Sequence, residues 1–442
     1  MNCYDRHYLK IALPAALEGL FMILLASTDL ILVGALGSLS VAAVSIFLQP
    51  RLILLCFSRS LASAVTLAAC NHAGSGDRER SADLLKKSLV IGALLMGILH
   101  VLFFYFLEDI FLLMGASADY LPLAMEYGPM ALLAVYFTSL TLILQAVLLG
   151  YGDTSSIMKT NISGNLLNAC LSFVLIRGLG PVPAFGVAGA AFGTAAGTLF
   201  SLLYSYYLLE REGFFHGGRW MPDRAYFKKV GPLFASVLSE QGSERIGMVL
   251  FSRMAAGLGT VPFAVHSICM NICDVYYDFI MGFGKAGMVA AGQAVGRGSM
   301  ADWHHYRRTG LFWCLILSTA ACGITLAFAH PIFVFYSPDP SLLPLASVIM
   351  VFIAFVSYPE ALALWGAGIL RGSGAAPQVA AYSFVSITFL RPLVTAFFIY
   401  GLDMGLVGTW CALFIDQVIR ASCASFLVNR LAVKRGFLPD AA

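Results

Sequence analysis

The chain has 442 residues, of which 59% are hydrophobic and 12% charged, and its mean hydropathy is +0.83. That balance excludes a water-soluble globule and describes a polytopic membrane protein. A formal charge of +3, with no basic tract carrying interleaved aromatics, gives no case for nucleic acid.

The opening segment MNCYDRHYLK runs straight into a full-length apolar span without a small-residue cleavage site, so the first span is expected to be retained. Apolar runs of about twenty residues predict helices over 11–33, 44–71, 87–107, 121–149, 157–177 and 186–209. A second series follows over 230–256, 262–293, 310–329, 343–370, 378–400 and 405–428. Between the series, 210–229 mixes charges with Gly213, Gly217, Gly218 and Pro222, the composition of a connecting loop. The expected architecture is all-α and membrane-integral, with twelve spans in two six-helix lobes, 1–209 and 230–442, joined by a cytoplasmic linker.

The first span carries two acids, Glu18 and Asp29, behind Pro14. Eleven residues of helix place them about 20° apart around the axis and roughly 16 Å apart along it, so they share one face. An ionisable group at bilayer depth costs about 2.5–3.5 kcal/mol on insertion scales, which makes each a functional candidate, Glu18 as a lining residue of a substrate cavity. Lys and Arg fall almost wholly on one side of the predicted spans, among them Arg6, Lys10, Arg78, Lys86, Lys87, Arg219, Arg224, Lys228, Arg307, Arg371 and Lys434. The opposite side holds Arg177 with Glu108, Asp109, Asp119, Asp339 and Asp403, so both termini are expected in the cytoplasm. The ten cysteines lie singly, without metal-ligand spacing, and read as small packing residues.

The chain repeats itself at a shift of 222 residues. LGSLSVAAVSI from 36 falls on LGTVPFAVHSI from 258, Glu18 on Glu240, Ala68 and Ala69 on Ala290 and Ala291, Gly74 and Gly76 on Gly296 and Gly298, and Gly150 and Gly152 on Gly372 and Gly374. A further shift of three residues brings GVAGAAF from 186 onto GLVGTWC from 405. Six spans is an even number, so the halves are parallel repeats, an arrangement that places a substrate site near the midplane between them.

ALPAALEGL, STDLILVGALGSLSVAAV, GSGD at 74–77, LLGYGDT at 148–154, PAFGVAGAAFGT at 183–194, MVAAGQAVGRG at 288–298 and ILRGSG at 369–374 together resemble the multidrug and toxic compound extrusion (MATE) transporters, over essentially the whole chain. The resemblance implies two six-helix lobes and export of organic cations or amphipathic compounds driven by H⁺ or Na⁺, with no other cofactor. It also implies a monomeric, multi-pass protein of a prokaryotic plasma membrane, with membrane lipid as its other partner. Asp29 matches the family's coupling aspartate and Pro14 its bend position. Asn168 and Thr194 match residues that accompany that aspartate, whereas the acid usual four positions after the asparagine is Ser172 here. In the second lobe Glu240, Glu244 and Glu360 fall at acid positions used by different branches.

The residues point the same way by themselves. Glu240 and Glu244 are one helical turn apart and make a candidate proton carrier, unless Arg245, Arg253 or a neighbouring helix neutralises them. Asp274, Asp278 and Lys285, and Asp416 with Arg420, have the spacing of structural pairs. Arg51, Arg59 and Arg391 fit helix ends or a cavity lining. Tyr136, Tyr276, Tyr277, Tyr358 and Trp365 are candidates to face a cationic substrate through their rings, and His72, His266 and His330 form no ligand set. A lipid-linked oligosaccharide flippase is the alternative function; twelve spans and an acid-bearing interior speak against it. A membrane-embedded enzyme has no HExxH, nucleophile elbow or phosphate-binding loop to support it.

Overall fold

The structure, a computed structural model, describes residues 3–178, 183–337 and 339–434, with the side chains of 24–31 and of Ser38 outside the described set. Within those residues the protein is helical, with no strand. The first half runs α1 Cys3–Gly34, α2 Ser38–Ser45, α3 Leu48–Ser75, α4 Arg78–Tyr105, α5 Leu107–Leu113, α6 Leu121–Gly150, α7 Thr154–Arg177 and α8 Gly186–Arg211. The second runs α9 Arg224–Ala256, α10 Thr260–Arg297, α11 Met300–Ala327, α12 Ala329–Tyr336, α13 Leu343–Gly372, α14 Ala376–Phe384, α15 Arg391–Ala396 and α16 Gly405–Lys434. Segments Val385–Leu390 and Phe397–Gly401 are π-helical and make α14 and α15 one irregular span. Pro392 explains part of this: it has no N–H to return to the carbonyl four residues earlier, and the helix widens ahead of it.

Each predicted span corresponds to a long helix. Eight helices among the described residues are long and apolar enough to cross a membrane. Absent from that set are α1, part of whose side chains lies outside the described set, α7, which is interrupted by Lys159, Asn161, Asn165 and Asn168, and α9 and α10, whose apolar runs are broken by Glu240, Gln241 and Glu244 and by Asp274, Asp278 and Lys285.

The repeat is visible in the backbone. Gly37 and Gly259 share φ 106 at the turn after the first helix of each half, and Gly76 (φ 73) matches Gly298 (φ 68) at the next. A side chain at those angles would be strained, so the duplicated glycines hold duplicated turns. Asp77 and Ser299 then cap α4 and α11 with their side chains, at the same repeat position.

Contacts divide the chain into two compact units, Met1–Ala16 with Ala235–Ala442, and Leu17–Phe234. The start of α1 thus packs with the second half: Tyr8 donates to the Phe283 carbonyl at 2.6 Å, Tyr4 to Asp302 at 2.9 Å, and Gly282 meets the backbone of Ala15 and Ala16. Likewise the start of α9 packs with the first half, where Tyr226 donates to Ser88 at 3.1 Å. Small residues set the tightest helix contacts. A Cβ on Gly193 would lie 2.2 Å from the Ser172 hydroxyl, and one on Gly372 would lie 2.2 Å from the Met288 carbonyl. Such close approach lets backbones pack where no hydrophobic driving force exists.

The residues expected as a connecting loop are held against the first turns of α4. Arg78 pairs with Glu212 at 2.9 Å, Lys86 donates to the Gly217 carbonyl, the Asp83 carboxylate accepts from the Arg219 N–H at 2.9 Å, and Lys87 pairs with both Asp83 (2.6 Å) and Asp223 (2.8 Å). The Lys87 ammonium, with the Tyr226 N–H, holds the Asp223 carboxyl below its ordinary value of 3.8. Asp223 also caps α9, accepting from Tyr226 N at 2.8 Å, so the helix begins at Arg224 rather than near 230.

Candidate functional site

The interior of the second-half unit gathers charges from five elements. Glu360 on α13 is 5% exposed, and its Oε2 has no hydrogen-bond partner among the described residues. It lies in the field of Asp274 on α10, Arg420 on α16 and Arg391 on α15. Asp274 keeps accessible surface and interacts with Asp278 and with Glu244 on α9. Arg420 faces the charges of Asp416 and Glu244 and the phenol of Tyr277.

Two ion pairs inside this region are closed. Arg391 donates to Asp416 Oδ2 through Nε at 3.0 Å and Nη2 at 2.5 Å, and Ser386 donates to the other oxygen. Both charged side chains are at most 5% exposed. The hydrogen-bonded partner of Asp416 is thus Arg391, which the π-helical segment brings onto α16, while the expected partner Arg420 stays in the field of Asp416 and also faces Glu244 and Tyr277. Glu240 is likewise closed, accepting from Arg371 Nη2 at 2.6 Å and Ser383 Oγ at 3.3 Å. Its partner is neither Arg245 nor Arg253 but a residue of α13, and Glu240 and Glu244 are thereby separated in role.

With Asp416 and Glu240 paired, the remaining acids of this group are Glu244, Asp274, Asp278 and Glu360, with Arg420 in the field of Glu244 and Glu360. A buried carboxylate oxygen without a donor is expensive in a membrane-spanning bundle. A proton, an inorganic cation or a cationic ligand would complete it.

In the first-half unit Asn168 is buried and accepts from Ser172 at 3.0 Å, so the serine that replaces the usual acid bonds to the asparagine itself. Thr194 donates to the Ala190 carbonyl of its own helix at 2.9 Å. The side chain of Asp29 lies outside the described residues. Glu18 accepts from Asn161 at 2.5 Å. Pro14 lies inside a continuous α1.

Of the aromatic candidates, two fall near the acids: Tyr277 in the field of Glu244, Arg420, Glu360 and Arg371, and Tyr276 in that of Glu360, with its hydroxyl bonded to Ser318 at 2.9 Å and to the Ser357 carbonyl at 3.2 Å. Tyr136 donates to Ala93 O at 3.3 Å and packs edge-on to His100; Tyr358 donates to Thr319 at 3.1 Å. Trp365 is buried against Gly310 and donates to Arg307 O at 3.1 Å. These three tie neighbouring helices together.

Fold and site define a multi-pass integral membrane protein with ionisable groups held inside its helix bundles. The MatE family model matches residues 14–174 and 232–397, and the chain belongs to that family, one of membrane transporters rather than enzymes. The probable multidrug resistance protein NorM of Rhizobium meliloti is 25% identical, covering 97% of this chain and 93% of its own. The multidrug resistance protein MdtK of Pectobacterium atrosepticum is 22% identical, covering 95% and 93%. Among solved structures, a crystal structure of MATE in the bent conformation aligns with TM-score 0.88 at 20% identity, over 98% of this chain and 96% of that one. An outward-facing multidrug resistance MATE family transporter of the MOP superfamily aligns with TM-score 0.88, over 98% and 97%. At that identity the structural likeness establishes the fold.

Proposed function

We propose that the protein is a secondary active efflux antiporter that exports organic cations or other amphipathic compounds in exchange for H⁺ or Na⁺. The observation that carries the reading is Glu360, buried on α13 with an oxygen that has no partner among the described residues, in the field of the accessible Asp274, which interacts in turn with Glu244. The multidrug resistance names of NorM and MdtK support the same substrate class. Cytoplasmic termini, supported by the one-sided distribution of Lys and Arg, would give the export direction its sense.

Transport would alternate between two states of the protein, with occupancy of the acids biasing the equilibrium. A proton or ion achieves this only through different affinities for the two states. The direct test is dye efflux from inverted vesicles under an imposed proton or sodium gradient. Uptake driven by either gradient, and abolished by its collapse, is the expected result. Transport that ignores both gradients would sink the antiporter reading and leave facilitated movement or lipid flipping.

A further inference from the structure

The first-half unit holds a carboxylate whose partners are all neutral. Glu18 on α1 accepts from Asn161 Nδ2 on α7 at 2.5 Å. Asn161 and Gln145 on α6 form a reciprocal amide pair, Gln145 Nε2 to Asn161 Oδ1 at 2.8 Å and Asn161 Nδ2 to Gln145 Oε1 at 3.2 Å. The other use of the Gln145 amide is a bond to Ser205 on α8 at 3.2 Å. Gln145 is 5% exposed and Ser205 is fully buried, whereas Glu18 and Asn161 are half-buried. The base of this chain is therefore fixed and its acidic end is reachable. Asn161 cannot turn its oxygen toward Glu18 without facing acceptor to acceptor, so the network has one sense.

The repeat shows what is unusual. At the 222-residue shift Glu18 meets Glu240 and Asn161 meets Ser383, and in the second-half unit Ser383 does bond to Glu240. There, however, Arg371 supplies a guanidinium, and the position equivalent to Arg371 is Leu149. One copy of the site carries its own cation and the other does not: among the described residues no lysine or arginine pairs with Glu18.

We propose that the Glu18–Asn161–Gln145–Ser205 chain is a recognition site for the protonated amine of a transported organic cation, which takes in this unit the place that Arg371 fills in the other. The chemistry selects N⁺–H over an inorganic ion. A sodium ion needs several oxygen ligands, whereas here both carboxamide oxygens already accept from the paired amide N–H groups. Glu18 offers a single carboxylate with free lone pairs, the arrangement that suits one charge-assisted hydrogen bond. Met22 and Asn165, the latter donating to Asn161 O at 2.8 Å, lie one turn on and give the site an adaptable apolar and polar flank.

This inference rests on the efflux reading and is tested by binding rather than transport. The full-length protein in nanodiscs is titrated with quinacrine, a fluorescent protonated amine, and with tetraphenylphosphonium, a cation without N–H. Glu18→Gln keeps an acceptor for Asn161 and should leave thermal unfolding unchanged. It is expected to weaken quinacrine at least tenfold and tetraphenylphosphonium less than twofold. Asn161→Ser, which imitates the other repeat, keeps the charge but loosens its positioning and should weaken quinacrine by a few fold. A quinacrine Kd unmoved by Glu18→Gln, or equal weakening of both probes, overturns the amine site alone. A parent protein that binds neither probe and moves neither in vesicles overturns the efflux reading together with it.

Discussion

Glu360 and Asp416 are both buried acids, and they differ in what meets them. Asp416 is held by Arg391 and Ser386, so removing the cation strands a charge: Arg391→Met should destabilise the protein by about 3–5 kcal/mol. The double variant Arg391→Met, Asp416→Leu should recover most of that loss in thermal unfolding, since no lone charge remains. Glu360 has no such partner on Oε2 among the described residues. Glu360→Gln should leave the unfolding temperature near that of the parent and lower gradient-driven efflux at least tenfold, about 1.4 kcal/mol in the affected step. Parent-level efflux would remove Glu360 from the coupling machinery. Sequence spacing identified all these acids. For Glu240 it left Arg245, Arg253 or a neighbouring helix open, and a neighbouring helix supplies the cation; for Asp416 the i,i+4 rule offered Arg420, which lies in its field, but the hydrogen-bonded partner is Arg391. The real partners, Arg391 and Arg371, arrive from other helices through packing and a π-helical detour that no local pattern encodes.

At the scale of elements, α7 and α8 meet through Gly189, Gly193 and Gly197, a glycine every fourth residue, the first two within the stretch that also carried the family resemblance. A Cβ on Gly197 would lie 2.5 Å from the Gly164 carbonyl and 2.7 Å from Asn168 Cβ. Gly197→Ala should therefore part the helices, cost roughly 1–3 kcal/mol and disturb Asn168. Gly323→Ala on α11, where nothing lies within 4 Å, should be neutral or slightly stabilising. Equal unfolding temperatures for the two variants would show that the α7–α8 contact is not tight. The segment between α8 and α9 was legible only in part. Its Gly, Pro and charges describe a loop, but its docking depends on charge complementarity with a turn more than a hundred residues away. Because the folded Asp223 carboxyl titrates below its unfolded value of 3.8, its contribution is complete above that value and lost only as pH falls through the lower folded one. Hydrogen exchange of 212–223 should accordingly stay slow from neutral pH down to about pH 4, and Asp223→Asn should accelerate it already at neutral pH. Exchange that is unchanged by Asp223→Asn would mean the other contacts hold the segment alone.

At the scale of the whole molecule, the repeat was readable because its turns need glycine and its cores need small residues at fixed positions, so 222 residues of drift left those landmarks in register. What the repeat did not disclose is that the helix opening each half changes allegiance along its length. The chain passes from one compact unit to the other between Ala16 and Leu17 in α1, and between Phe234 and Ala235 in α9. Each passage lies two residues beyond a proline, Pro14 in α1 and Pro232 in α9. These two prolines are not equivalent in the 222-residue register, in which Pro14 meets Ser236. A proline inside a helix withholds one backbone donor and crowds the preceding turn, which lowers the cost of bending there. Motion of one unit against the other, as the antiporter reading requires, would have to be absorbed in these two helices. Pro14→Ala and Pro232→Ala each restore a donor and should leave stability unchanged or raised while slowing gradient-driven efflux several-fold, with the double variant slower than either. Pro129→Ala, within α6 and wholly inside one unit, should not slow efflux. A double variant that pumps at the parent rate would show that the transport motion does not pass through these bends.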